Sequence, residues 1–240
     1  MAKIKVRTGK RFRAKRAESH YDTIIIGSGI GGLANAAFLS LLGKKVCVLE
    51  QHYTAGGFTH AYEREGYEWD VGVHYIGEVH KPSTLRRVFD VISEGRLEWA
   101  AMDDEYDRVI IGKQKYSFIA GRENFAKMLV DNFPEEESAI LKYIDLIREV
   151  SRYTPKFFAG QGMAPWLASA YNKLRPLIVP KVFFQTTREA LESLTQNQEL
   201  ISVLTGQWGN YGQAPADASF LMHALIAKHY LAGGAYPVGG

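Results

Sequence analysis

From Ile24 to Leu42 the chain runs nineteen residues without a charge, enough for a hydropathy window to suggest a membrane span. Gly27, Gly29, Gly31 and Gly32 break that run. Before them stands the β-branched cluster Thr23-Ile24-Ile25-Ile26. After them comes an Ala/Leu-rich segment with Leu33, Ala34, Ala37, Phe38 and Leu41 on one apolar face. The pattern predicts strand, glycine turn and helix instead of a span. Gly43 ends the helix, Lys44-Lys45 lead out of it, and Val46-Cys47-Val48-Leu49 reads as a second buried strand.

Further along, Val109-Ile110-Ile111 and Tyr116-Ser117-Phe118-Ile119 flank a Gly112-Lys113 turn and predict a β-hairpin. Apolar residues at helical spacing predict helices over Asn124 to Asn132 and Glu135 to Tyr153, with Pro134 opening the second. Pro155 to Phe184 is an aromatic, basic, proline-broken stretch. It reads either as a surface that lies on a membrane and admits an apolar substrate, or as a core-facing cap element with ordinary surface lysines. A final apolar helix is predicted from Ala216 to Leu231.

Composition narrows the class. The 240 residues are 46% hydrophobic and 23% charged, as in soluble globular proteins, which argues against a collagen, a coiled coil or a chain disordered throughout. Cys47 is the single cysteine, so there is no internal disulfide, Cys-rich zinc module or two-cysteine redox centre, and a reducing, cytoplasmic setting is expected. The net charge of +3 hides eight basic residues among the first sixteen; the remainder carries 21 basic and 26 acidic residues, net −5. This leader reads either as an attachment to anionic lipid or nucleic acid, or as a solvated, poorly ordered terminus. It has no secretory pattern. The acidic body makes nucleic acid an improbable partner.

The strongest chemical signal is Gly27-Ser28-Gly29-Ile30-Gly31-Gly32, with glycines at the three positions of G-x-G-x-x-G. Gly27 permits the tight turn off the strand, Gly29 lets backbone approach a pyrophosphate, and Gly32 lets the helix pack closely while its N-terminal N–H groups face the anion. Glu50 stands 23 residues after Gly27, at the end of the second strand, where an acid accepts hydrogen bonds from ribose hydroxyls. Its charge disfavours a 2′-phosphate and hence NADP at this site. Gln51 follows it, and Gly56-Gly57 close a further short loop.

Taken together, Ile24 to Gly57 resembles the extended FAD-binding motif of the two-dinucleotide-binding-domain flavoproteins, matching at Gly27, Gly29, Gly32, Glu50, Gly56 and Gly57. The glycine pair after the acid favours FAD over NAD. Leu49-Glu50-Gln51-His52, Ala55-Gly56-Gly57 and Asp70-Val71-Gly72-Val73-His74-Tyr75-Ile76-Gly77 resemble the retinol saturase, carotenoid isomerase and phytoene desaturase group. So do Tyr211-Gly212, Met222-His223-Ala224-Leu225, His229-Tyr230 and Tyr236-Pro237-Val238-Gly239-Gly240. The resemblance implies an α/β fold: a Rossmann-like FAD-binding domain with an inserted α+β substrate domain. It implies a flavin enzyme acting on carbon–carbon double bonds of an apolar polyene, with NAD(P)H the candidate external electron donor. Members are about twice as long, so the chain is expected to be the N-terminal part of a longer protein or a truncated product.

The expected organisation is a poorly ordered basic leader (1–20), an FAD-binding βαβ with a flavin-side loop (21–80), a substrate domain (81–205) and a returning helix and glycine-rich segment (206–240). Catalytic candidates are His74 or Tyr75 as the acid opposite hydride delivery and Asp70 as a base; a loop-clamping His74 and a turn-forming Asp70 are the plainer readings. Trp208, Tyr211, His223 and Tyr236 are candidate lining residues for an apolar channel, or core residues. His223 and His229 lie about 120° apart around a helix, and no metal is expected. The rival readings are an amine-oxidase-like flavoenzyme and a non-catalytic nucleotide-binding remnant.

Overall fold

The computed structural model describes residues 9–239. Residues 1–8 of the basic leader lie outside the described residues; residues 9–20 are exposed and carry one 3-10 turn at Ala14–Arg16. The chain divides into two compact units. The first runs up to Tyr75 and takes in Thr84–Glu98 and the last residues from Pro237; the second comprises Ile76–Ser83 and Trp99–Tyr236.

In the first unit, β1 (Thr23–Ile26) and β2 (Val46–Leu49) pair in parallel, Ile24 opposite Cys47 and Ile26 opposite Leu49. Helix α1 (Ile30–Leu41) makes the crossover, giving the expected βαβ order. Gly43, at φ +76, ends the helix. An antiparallel hairpin follows, β3 (Ala61–Arg64) with β4 (Tyr67–Asp70), then α2 (Thr84–Ile92). The hairpin was not apparent in the sequence pattern. Its strands are exposed throughout, so they lack the alternation that marks a half-buried strand. Glu65 and Gly66, both at positive φ, make its two-residue turn. The expectation that β1 and β2 are buried is corrected. Ile24, Ile26 and Leu49 are 59%, 89% and 43% exposed, because the sheet has two strands and parallel strands are shielded only where both faces are covered.

The second unit has an α+β core. Strands β5 (Trp99–Ala101), β6 (Glu105–Ile111) and β7 (Gln114–Ile119) precede α3 (Arg122–Asn132), α4 (Glu137–Phe158), α5 (Pro165–Ile178), α6 (Thr187–Glu192), α7 (Gln198–Leu204), α8 (Phe220–Tyr230) and β8 (Ala235–Pro237). β6 and β7 form the expected hairpin, Ile111 opposite Gln114 across a turn with Gly112 at φ +60. β8 pairs with β5. Along α4, Ile140, Tyr143, Ile144, Ile147 and Val150 recur at helical spacing and are buried. Phe118, Phe125 and Leu129 pack from the β7 and α3 side, Phe220 and Ala224 from α8. A capping box starts α6: the Thr186 hydroxyl accepts from Glu189 N (3.2 Å) and the Glu189 carboxylate accepts from Thr186 N (2.8 Å).

The proline-broken reading of 155–184 is also corrected. α4 runs through Pro155 and α5 through Pro176. Stacking of Phe157 on Phe183, with centroids 5.2 Å apart, holds the last turn of α4 to the 3-10 turn at Lys181–Phe184. Packing at a helix end thus outweighs the single hydrogen bond a proline removes.

Candidate functional site

The glycine turn is shaped by backbone contacts. Gly27, at φ +96, donates its N–H to Leu49 O (2.7 Å), so the chain leaves β1 still bound to β2. Leu33 N donates to Gly29 O (2.9 Å), which leaves the N–H groups of residues 30–32 at the open end of α1. A Cβ on Gly32 would lie 2.3 Å from Gly27 O, so no side chain fits where the helix crosses the strand. A Cβ on Gly29 would meet nothing within 4 Å: bare backbone faces open space there, as a cradle for a pyrophosphate requires. Ile30 and Gly31, in the first helical turn, are exposed.

Glu50 ties the turn together. Its Oε2 accepts from Ser28 N (2.8 Å) and Ser28 Oγ (2.6 Å), and its Oε1 accepts from His52 N (2.8 Å). These bonds, the Ser28 hydroxyl first, hold its carboxyl down at about 2. Glu50 is therefore an anion at neutral pH. It stands at the end of β2 and is half-buried. Gln51 is exposed beside it.

Ser28, 2% exposed, also reaches the second glycine pair. Gly56 N donates to Ser28 O (3.1 Å) and to Ser28 Oγ (3.3 Å). Gly29 and Gly56 form a parallel bridge, and a Cβ on Gly57 would lie 2.9 Å from Gly29 Cα. Gly56-Gly57 is thus seated against the phosphate-type turn. Around it the His52 ring lies tilted against Tyr53, with centroids 4.3 Å apart, and against His60 at 5.0 Å; His60 Nδ1 bonds Gly57 O (2.6 Å). Ser28 as the junction of three motifs was not foreseen; the signal was a small hydroxyl inside a glycine turn.

Of the catalytic candidates, Asp70 is exposed at the end of β4 opposite Ala61, His74 is exposed in the loop beyond it, and Tyr75 is half-buried. All three belong to the first unit, whereas Trp208, Tyr211, His223, Tyr236 and the helix that carries His229 belong to the second. Trp208 is 49% and Tyr236 39% exposed. His223 is 3% exposed and engaged on both ring nitrogens, with the Tyr143 hydroxyl at 2.9 Å and the Tyr211 hydroxyl at 3.4 Å. Burial pushes His223 down to about 4 and Tyr211 up to about 12, and raises fully buried Tyr143 further.

A second cluster in that unit escaped the sequence reading. His229 Nε2 accepts from Gly77 N (2.8 Å), and its Nδ1 lies 3.8 Å from Glu78, which also pairs with Lys228. These partners, His229 first, hold the Glu78 carboxyl down at about 2. A Cβ on Gly77 would fall 1.7 Å from His229 O, so only glycine lets this loop lie against α8. The pairing spans about 150 positions and left no local pattern to find. Among the described residues no three His, Cys, Asp or Glu side chains gather as a metal site, and no helix is long and apolar enough to cross a membrane.

With the geometry in place, comparison with known proteins is informative. Residues 25–92 match the NAD(P)-binding Rossmann-like domain family. Over 95% of its length the chain is 37% identical to the all-trans-retinol 13,14-reductase of Danio rerio, of which it covers 39%. It is 31% identical over 96% of its length to a second Danio rerio protein, named inactive all-trans-retinol 13,14-reductase, again covering 39%. A prolycopene isomerase of Daucus carota is 32% identical over 51% of the chain and 20% of its own length. The chain thus spans about two fifths of the length of the reductases it matches. An oxidoreductase from Methanosarcina mazei aligns at TM-score 0.55 and 16% identity, over 91% of this chain and 46% of its own. Putrescine oxidase aligns at TM-score 0.52 and 18% identity, over 86% and 41%. At such identities a structural likeness establishes fold alone, here the Rossmann-like α/β fold. The chain is thus similar over nearly its whole length to the all-trans-retinol 13,14-reductases, and over half of it to a prolycopene isomerase.

Proposed function

We propose that the dinucleotide held at the glycine turn is FAD and that the protein works on carbon–carbon double bonds of an apolar, retinol- or carotenoid-like polyene. The observation that carries the flavin reading is the seating of Gly56-Gly57 on Gly29 through Ser28. A plain NAD site needs the turn and the acid, but no second glycine pair packed against them. The N–H groups at the start of α1 and bare Gly29 would hold the pyrophosphate, Glu50 a ribose hydroxyl, and Gly56-Gly57 would let the chain pass on toward the flavin.

Bound there, FAD supplies hydride transfer at flavin N5 to or from one alkene carbon. The protein's part is to exclude water, orient the polyene and exchange a proton at the other carbon. His74 or Tyr75 is the proposed proton donor in the reductive direction and Asp70 a base in the oxidative one. The sequence group accommodates reduction, desaturation and isomerisation of the double bond.

The test is to incubate the purified chain separately with FAD and NAD+, remove free nucleotide by gel filtration and record the visible spectrum. FAD is expected to stay bound and NAD+ to be lost. Gly57→Val, whose side chain would strike Gly29, is expected to release the flavin with the far-UV circular dichroism unchanged. Retention of NAD+ in place of FAD, or flavin bound equally by Gly57→Val, would overturn the assignment. Addition of retinol to the chemically reduced complex is then expected to shorten the polyene's absorption; a spectrum that stays constant would remove the polyene from the proposal.

A further inference from the structure

Arg175 differs from the other arginines by its missing partner. Arg86, Arg108 and Arg122 each pair with an acid: Asp90, Glu105 and Asp145 in turn. Among the described residues the Arg175 side chain has neither an ion pair nor a hydrogen-bond acceptor, and its Nε is closed off from solvent. Burying a guanidinium nitrogen without an acceptor is unfavourable, so the surroundings that hold it there matter.

Helix α5 carries Trp166, Leu174 and Leu177 outward, 74%, 55% and 85% exposed. Tyr171 and Arg175, about 40° apart around the axis, turn the other way. The Tyr171 hydroxyl donates to the Lys156 carbonyl near the end of α4. A Cβ on Gly160 would crowd Asn172 Oδ1 at 3.2 Å and the Tyr171 ring at 3.3 Å, so the missing side chain lets α5 close on this turn. The Arg175 guanidinium then lies 4.3 Å over the Phe157 ring and 6.0 Å from that of Phe184. Phe157 is the centre of an aromatic cluster, with Phe158 at 5.1 Å, Phe183 at 5.2 Å and Phe184 at 6.1 Å.

A ring face attracts a cation but does not neutralise it. Nor does the local chain, since between residues 150 and 188 there is no Asp or Glu. The terminal nitrogens of Arg175 are not sealed in as Nε is. The guanidinium therefore offers a two-pronged donor edge beside two partly exposed rings, Phe158 at 36% and Phe184 at 49%. From this juxtaposition we infer that Arg175 and its phenylalanines bind an amphipathic carboxylate, an anion of fatty-acid type with a long apolar body. Its two oxygens accept from the two terminal nitrogens in fork geometry, and its apolar chain lies along Phe158 and Phe184.

The match is one of both charge and shape. A single unpaired cation balances one carboxylate, whereas a phosphate monoester carries nearly two charges at neutral pH. A small inorganic anion would use the fork and gain nothing from the rings; an uncharged chain would use the rings and leave the guanidinium unpaired. Only a molecule with both parts uses both features. The site is built from the second unit alone, and its test needs no nucleotide.

The experiment is a fluorescence titration of the full chain with cis-parinaric acid, a conjugated fatty acid that brightens in apolar surroundings, below its micelle concentration. The methyl ester is the uncharged control. The acid is expected to bind saturably, one per chain, and the ester about tenfold or more weaker. Arg175→Met keeps an apolar stem over Phe157 but removes the fork. It is expected to bring the acid down to the ester's affinity, with ester binding and far-UV circular dichroism unchanged. Arg175→Lys, which keeps the charge without the fork, should fall between. Phe184→Ser, at a half-exposed position, should weaken acid and ester alike. Equal affinity of acid and ester overturns the inference. So does undiminished binding of the acid by Arg175→Met, or by Phe184→Ser should the first variant misfold, which would leave Arg175 a clip between α4 and α5. Displacement of the acid by inorganic phosphate as readily as by oleate would make this a small-anion site and overturn it too.

Discussion

Every apolar side chain buried among the described residues, from Val79 to Ala235, belongs to the second unit, whereas the first buries Ser28 and Gly56 and leaves Ile26 89% exposed. The two units therefore owe their shapes to different physics. In the second, side chains from β7, α3, α4 and α8 interlock around Tyr143 and Phe220, so shape follows volume and burial. In the first, shape at the site follows backbone: glycines where a Cβ would collide, and a carboxylate that three hydrogen bonds hold in place. Sensitivity to mutation should divide the same way, with large-to-small changes harmful in one unit and small-to-large changes harmful in the other.

The largest effect is expected in the packed unit. Phe220→Ala, at a fully buried position, should cost about 3–5 kcal/mol, read as a lower urea midpoint. A cost near zero would mean that the core around α8 is not the close-packed one described.

Acid sharpens the contrast, because each unit carries its own titrating group. His223 is lowered from 6.5 to about 4 by burial, so as pH falls the unfolded chain takes the proton first. Stability from this group is complete above 6.5 and is lost between 6.5 and about 4, a change on the order of 3 kcal/mol. His223→Gln, which keeps hydrogen-bonding atoms but does not titrate, should flatten that dependence. In the first unit Glu50 is lowered from 4.5 to about 2, so its contribution is present above 4.5 and disappears as pH falls toward 2. Urea midpoints measured across pH should thus show the His223 loss at higher pH than the carboxylate loss, the latter reduced in Glu50→Gln to the share that Glu78, also lowered to about 2, carries in the second unit. A single coincident step would break the comparison.

The smallest effect is expected where the first unit is bare. Ile26→Ala should change stability by less than about 0.5 kcal/mol, as for any surface position away from a cap or turn. A cost above about 2 kcal/mol would show that the exposed strand face packs against something in solution.

What was readable in advance follows from the range of the interactions. The βαβ and its glycines were legible because each requirement is local: a turn off a strand, a helix start and an acid at the next strand's end all fall within 24 residues. The β6–β7 hairpin and the helices α3 and α4 were legible because their buried faces repeat at a fixed period. Three features were illegible for matching reasons. The β3–β4 hairpin is exposed and lacks periodicity, α4 continues through Pro155 because Phe157 finds Phe183, and the Gly77–His229–Glu78 cluster joins positions far apart in the chain.

The amino-acid sequence by itself determined the glycine turn and the position of its acid, because glycine geometry and strand-helix periodicity are written in adjacent residues. Only the tertiary structure decided that Ser28 joins Glu50 to Gly56, that His223 is buried between Tyr143 and Tyr211, and that one face of α5 points outward. Each of these depends on which surfaces remain after distant segments have packed, and a side chain's burial, charge state and partners are set by that packing more than by its neighbours in the chain.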